Sequence, residues 1–185
     1  MSSPSINPAI AGLSAPPIPI VQNSARSYDG RLGKLIDLSQ AVPGYAIHRE
    51  LAAHLEQAAS RPDLLGYGPI EGETALRDAY SRHITDIYGA PVASQEVHIT
   101  AGCNQAFVAA ALTVAGPGDT VLLITPYYFN HDTTLSMLGI RTKTMIAKPE
   151  DLYLPDIDQV AAAITPDVKA VACVTPNNPT GTIYL

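Results

Sequence analysis

The sequence predicts an α/β fold built on a mainly parallel sheet with helices on both faces. Segments of helical and strand period take turns from residue 46 onward. The strand-like runs are separated by connections of ~10–20 residues, the length a parallel crossover needs. The run Val121-Leu122-Leu123-Ile124 is apolar at every position, as a strand covered on both faces must be. With 46% hydrophobic and 15% charged residues in 185, the chain carries enough apolar surface for a core at a one-domain length.

Residues 1–25 hold five prolines, Pro4, Pro8, Pro16, Pro17 and Pro19, and are expected to form an extended arm or disordered tail. A short apolar element, Leu35-Ile36-Asp37-Leu38, follows before Pro43-Gly44 breaks it. Ile47, Leu51, Leu55 and Ala58 share one face of a helix that Pro62 must follow or end. A longer helix carries Ala75, Leu76, Ala79, Tyr80, Ile84, Ile87 and Tyr88 at 3–4 spacing, with Gly89 as its stop. Residues 97–100 read as a short strand and 103–115 as a helix, before a turn at Gly116-Pro117-Gly118-Asp119. Strands are expected at 121–124, 141–146 and 168–174, with a polar helix at 131–138 and another at 156–164.

Several function classes fall away. The net charge is −6 and the 11 basic residues are scattered, so no nucleic-acid surface is expected. No apolar run approaches the ~18 residues of a membrane span. No basic residue precedes Arg26, so no secretory signal is read and a cytoplasmic chain is expected. Cys103 and Cys173 make neither a disulfide framework nor a zinc set, and His48, His54, His83, His98 and His131 have no metal-ligand spacing. No metal site is therefore expected. No serine stands in a nucleophile elbow, and Glu150, Asp151, Asp156 and Asp158 read as a solvated loop and helix start.

Ligands of open α/β sheets collect beyond the carboxyl ends of the strands. After the first expected strand comes Thr100-Ala101-Gly102-Cys103-Asn104-Gln105-Ala106, where small residues and the first N–H groups of a helix suit an anion, most naturally a phosphate. An ordinary strand–helix turn has the same composition. After the second comes Thr125-Pro126-Tyr127-Tyr128-Phe129-Asn130-His131, where an aromatic could stack on a flat ring or simply cap the core. After the last comes Thr175-Pro176-Asn177-Asn178-Pro179-Thr180-Gly181, where Pro179 restricts Asn178 to extended backbone. Its amide could donate a directed hydrogen bond, or the segment could be a plain turn. Upstream, Tyr67 stands between Gly66 and Gly68 on a loop.

Together these segments resemble the N-terminal half of the fold-type I pyridoxal-phosphate enzymes, the class I/II aminotransferases related to aspartate aminotransferase. The motifs are Tyr-Gly-Pro-x-x-Gly-x-x-x-Leu-Arg at 67–77, Thr-x-Gly-x-x-x-Ala at 100–106, Pro-Tyr-Tyr-Phe-Asn-His at 126–131 and Asn-Pro-Thr-Gly at 178–181. The resemblance runs from about Leu35 to the end. It implies pyridoxal 5'-phosphate as cofactor, with its phosphate on the backbone N–H groups of Gly102, Cys103 and Asn104. It implies Tyr128 stacked on the pyridine ring, Asn178 bonded to the phenolic oxygen, and His131 supporting a carboxylate beneath the ring nitrogen. Tyr67 would reach the phosphate of a partner subunit's cofactor, which implies a homodimer. The segment 38–43 would lie over the substrate carboxylate, with Ala41 where relatives often have glycine. The reaction implied is transamination between an amino acid and a 2-oxo acid. A C–S lyase or decarboxylase on the same fold, or a non-catalytic fragment keeping the phosphate-binding and dimer surface, are the alternatives. Substrate preference stays open between aspartate and aromatic amino acids.

The resemblance further implies an arm with part of a small domain at 1–45 and a partial cofactor-binding large domain at 46–185. The family's Schiff-base lysine lies downstream of Asn-Pro-Thr-Gly, and none of Lys34, Lys143, Lys148 and Lys169 has the Ser-x-x-Lys setting. The expectation is a truncated aminotransferase, without a catalytic residue of its own and inactive alone. The family sheet order, first–seventh–sixth–fifth–fourth–second–third, would leave the first strand without neighbours, each unmet backbone group costing roughly 1–3 kcal/mol.

Overall fold

The computed structural model describes residues 5–40 and 42–184. The chain divides into two compact units, Met1–Pro17 with Ala101–Leu185, and Ile18–Thr100.

The larger unit is built on three parallel strands, β1 (Thr120–Thr125), β2 (Arg141–Ile146) and β3 (Val168–Ala172), in the order β2-β1-β3. This is the neighbour order that the resemblance gives for the second, third and fourth strands. The central strand is buried on both sides, and its alternation sorts the core into two layers. Val121 and Leu123 face the helices α5 (Cys103–Val114) and α6 (Phe129–Met137), packing with Ala111, Leu135 and Ile140. Leu122 and Ile124 face the other way, with Met145 and Ala147 against Val160 and Ala163 of α7 (Ile157–Ala163). Asp156 caps α7 by accepting from the N–H groups of Asp158 and Gln159, at 2.9 and 3.2 Å. The acidic cluster thus includes a helix start, as its composition suggested.

The N-terminal segment departs from expectation. It forms two helices, α1 (Pro8–Ala11) and α2 (Pro17–Arg26). Pro8, Pro17 and Pro19 stand in first turns, where the missing N–H has no intrahelical acceptor to lose. Asn7 caps α1 through Oδ1, 3.0 Å from the Ala9 nitrogen.

In the second unit α3 (Arg49–Ala59) ends before Pro62, and α4 (Thr74–Tyr88) stops at Gly89 in a left-handed conformation. Residues 97–100 are not a strand. Their backbone is engaged elsewhere. The Ile99 N–H donates to the Glu71 carbonyl at 2.9 Å, and the Arg77 guanidinium donates to the carbonyls of Val97 and Ser94 at 2.9 and 2.8 Å. Gly72, at φ +102°, lets its turn close on Ile99; a Cβ there would fall 2.6 Å from that side chain. The apolar element at 35–38 is also outside any strand, and Leu35, Ile36 and Leu38 are exposed.

Candidate functional site

Three loops leave the carboxyl side of the larger unit's sheet or open the helices beside it. The first begins α5. Gly102 sits at its N-cap with φ +88° and ψ 173°, a region essentially reserved for glycine. Nothing lies within 4 Å of where a Cβ would stand. Beside it the Ala101 N–H donates to Gln105 Oε1 at 2.6 Å, fixing the turn, while Cys103 and Asn104 are exposed at the start of a 12-residue helix. First-turn N–H groups have no intrahelical acceptor, so this end of α5 suits an anion.

The second loop follows β1 through Pro126 to Tyr128, the N-cap of α6. The Tyr128 ring meets Phe129 at 5.2 Å and 61°, and His131 at 5.6 Å and 86°. Its hydroxyl accepts from Asn130 Nδ2 at 2.6 Å, and the same amide lies 3.5 Å from Asn104 Oδ1, across the starts of the two helices. His131 stacks on Phe107 of α5 at 4.2 Å and 24°.

The third loop carries Asn-Pro-Thr-Gly after β3. Here the buried residue is Asn177, not Asn178. Its Nδ2 donates to the Pro126 carbonyl and to Thr180 Oγ1, both at 3.0 Å, while its N–H and carbonyl close the loop onto Thr182 and Gly181 at 2.7 Å. Asn177 therefore stitches the loop after β3 to the loop after β1. Asn178 is left exposed beside it. Cys173, Tyr128, His131 and Asn177 line one small hollow, and Cys103, Phe107, His131 and Cys173 border an open apolar cavity of about 520 Å³ between α5 and β3.

The turn at 102–104, Tyr128 and His131 are thus tied into one network, and Asn178 stands on a loop fastened to the second of these segments. Tyr67 is fully exposed in the other unit. Ala41 lies outside the described residues. Sequence reasoning overlooked Asn177 and Asn130. Two adjacent asparagines before a proline cannot show which is buried. The signal for Asn130 was its place two residues after the aromatic.

Burial holds the His131 imidazole below its ordinary value of 6.5. The unfolded chain then binds more protons than the folded one between the lowered value and 6.5, so stability is full above 6.5 and falls as the pH drops through that window. The urea midpoint is expected to be lower at pH 5 than at pH 7.5. Denaturation of His131→Phe at the two pH values should show a smaller difference; an undiminished one would mean that other groups cause it.

An α/β protein with a glycine turn at a helix start, an aromatic N-cap and an asparagine loop gathered beside a parallel sheet is the class this arrangement defines. The chain belongs to the aminotransferase class I and II family, whose sequence model matches residues 33–184. An aromatic aminotransferase of Arabidopsis thaliana is 30% identical over 165 residues, covering 88% of this chain and 41% of that protein. The aspartate/prephenate aminotransferase of Thermus thermophilus is 32% identical over 153 residues, covering 81% of this chain and 39% of that one. The crystal structure of an aminotransferase from Mycobacterium tuberculosis superposes with a TM-score of 0.84 at 28% identity, over 98% of this chain and 46% of its own. A single mutant of the Thermus thermophilus aspartate aminotransferase shares the fold with a TM-score of 0.89 at 24% identity, over 98% and 47%. The chain spans about two fifths of the length of these curated relatives.

Proposed function

We propose that this chain is the cofactor-cradling part of a pyridoxal-phosphate-dependent transaminase, acting between an L-amino acid and a 2-oxo acid. The observation that carries the reading is the gathering of a glycine-only turn, an aromatic N-cap and an Asn-Pro-Thr-Gly loop beside one sheet. The groups fit the cofactor. The turn has open space over Gly102 and helix N–H groups for a dianion, the tyrosine supplies a flat platform, and Asn178 has an amide that no neighbour buries. When bound, pyridoxal phosphate supplies the electron sink and the nitrogen-carrying carbon.

In this reading Gly102, Cys103 and Asn104 bind the phosphate, and Tyr128 sets the plane of the ring. Asn178 donates to the phenolic oxygen and borders the substrate, a role the resemblance also gives to Ala41, while His131 steadies the ring's underside. Residues 46–185 form part of the large domain, and 1–45 the arm with part of the small one. Tyr67, exposed on its glycine-flanked turn, reaches the cofactor phosphate of a second subunit in a homodimer.

Pyridoxine phosphate, which lacks the aldehyde and so cannot condense with surface lysines, isolates these contacts. Asn178→Ala should weaken it by about 10- to 100-fold, the worth of one hydrogen bond to a charged oxygen. Calorimetric titration checks this against inorganic phosphate, whose affinity should hold. Equal losses for both ligands would remove Asn178 from the ring.

A further inference from the structure

We propose that Asn130 is a positioning residue, which sets the direction of the Tyr128 ring and keeps it in register with the turn that opens α5. The inference rests on the cofactor reading above and extends it to a residue outside the expected contacts. The phenolic oxygen lies on the long axis of a tyrosine ring, so a hydrogen bond to it holds the direction of that axis but not rotation about it. Asn130 Nδ2 makes that bond at 2.6 Å. Rotation is opposed separately, by Phe129 and His131 packed at steep angles of 61° and 86°. The ring is therefore restrained in both respects by the three residues that follow it, all in the first turn of α6.

The same Asn130 amide lies 3.5 Å from Asn104 Oδ1, in the first turn of α5. One side chain thus links the platform to the turn, and His131 stacked on Phe107, one turn further along α5, braces the two helices. A ligand holding an anion in the turn and a flat ring on Tyr128 needs the two at a fixed separation. A loose platform loses affinity through the entropy of ordering it on binding. Tyrosine at 128 makes the device possible, because phenylalanine has no acceptor for the amide.

The test is a set of three variants, Asn130→Ala, Tyr128→Phe and the double variant, titrated with pyridoxine phosphate and with inorganic phosphate. Each single variant should weaken pyridoxine phosphate by about 3- to 10-fold, one neutral hydrogen bond's worth. The double variant should be no weaker than Asn130→Ala alone, since that substitution already removes the bond that Tyr128→Phe removes. Inorganic phosphate, which touches only the turn, should change less than about 2-fold, whereas general loosening of the fold would weaken both ligands. Additive losses, equal losses for both ligands, or no loss would overturn the proposal. Should the parent chain bind neither ligand, the cofactor reading fails, and the Tyr128 ring resonances of a tyrosine-labelled sample then decide. Their displacement in Asn130→Ala upholds the positioning role; unmoved resonances overturn it.

Discussion

Gly102→Val is expected to lower the affinity for pyridoxine phosphate by about 100-fold or more, the largest effect of any single substitution in the site. Two costs combine. At φ +88° and ψ 173° the backbone occupies a region that side chains exclude, so valine is strained there by roughly 1–3 kcal/mol. The alternative is to rebuild the turn, which moves the N–H groups of Cys103 and Asn104 off a shared anion. If the turn does hold, the new side chain enters the open space above it, where the phosphate would sit. Calorimetry reads the loss. Gly102→Ala should fall between parent and valine, because it brings the strain without the branched bulk. Unchanged binding in both would mean that the anion is held elsewhere.

No turnover is expected from a polypeptide of these 185 residues supplied with pyridoxal phosphate, an amino acid and a 2-oxo acid, beyond the rate of the cofactor alone. The resemblance implies that the enzyme reaction uses a lysine amine at the site, in addition to the amine of the substrate. Lys143 is occupied, its Nζ donating to the Ala163 carbonyl at 2.8 Å and to Thr165 Oγ1 at 3.3 Å, both residues before β3 begins. Lys169 pairs with Asp119, just before β1, at 3.9 Å. Both partners lie toward the amino ends of the strands, opposite the site. Lys148 is exposed after β2 and acts on Asp156. Lys34 has no Ser-x-x-Lys setting. Borohydride reduction followed by peptide mapping should therefore find no single stoichiometric lysine adduct. Sustained conversion of amino acid to oxo acid by the pure chain would refute the assignment of roles.

Much of the scaffold is legible in the residues because burial on two faces leaves a simple record. The apolar run of β1 matches its burial on both faces, and the period of α4 up to Gly89 matches its helix, although Leu76, Tyr80, Ile87 and Tyr88 are exposed there and Ser81 is the buried residue. Residues 97–100 do not match their expected strand, because a strand is defined by its neighbours. Val97 and Ile99 have strand-forming side chains, yet the Glu71 carbonyl and Arg77 claim the backbone there. The prolines at 8, 17 and 19 mislead in the opposite sense. Proline breaks a helix from inside but starts one readily, and sequence counting does not separate the two. Within the candidate site, the positions of Gly102 and Tyr128 at helix starts are legible from residue type and place. Asn177 and Asn130 are not, since amides in loops are common and only coordinates show which one meets a carbonyl or a phenol.

The central claim is that the turn at Gly102, the ring of Tyr128 and the amide of Asn178 serve one phosphate-bearing aromatic ligand. Nuclear magnetic resonance on isotope-labelled chain during titration with pyridoxine phosphate tests it most directly. The amide signals of Gly102, Cys103, Asn104 and Asn178 and the ring signals of Tyr128 should move together and saturate at one concentration. Movement confined to one of these groups, separate saturation, or displacement centred on residues away from all of them would contradict the account.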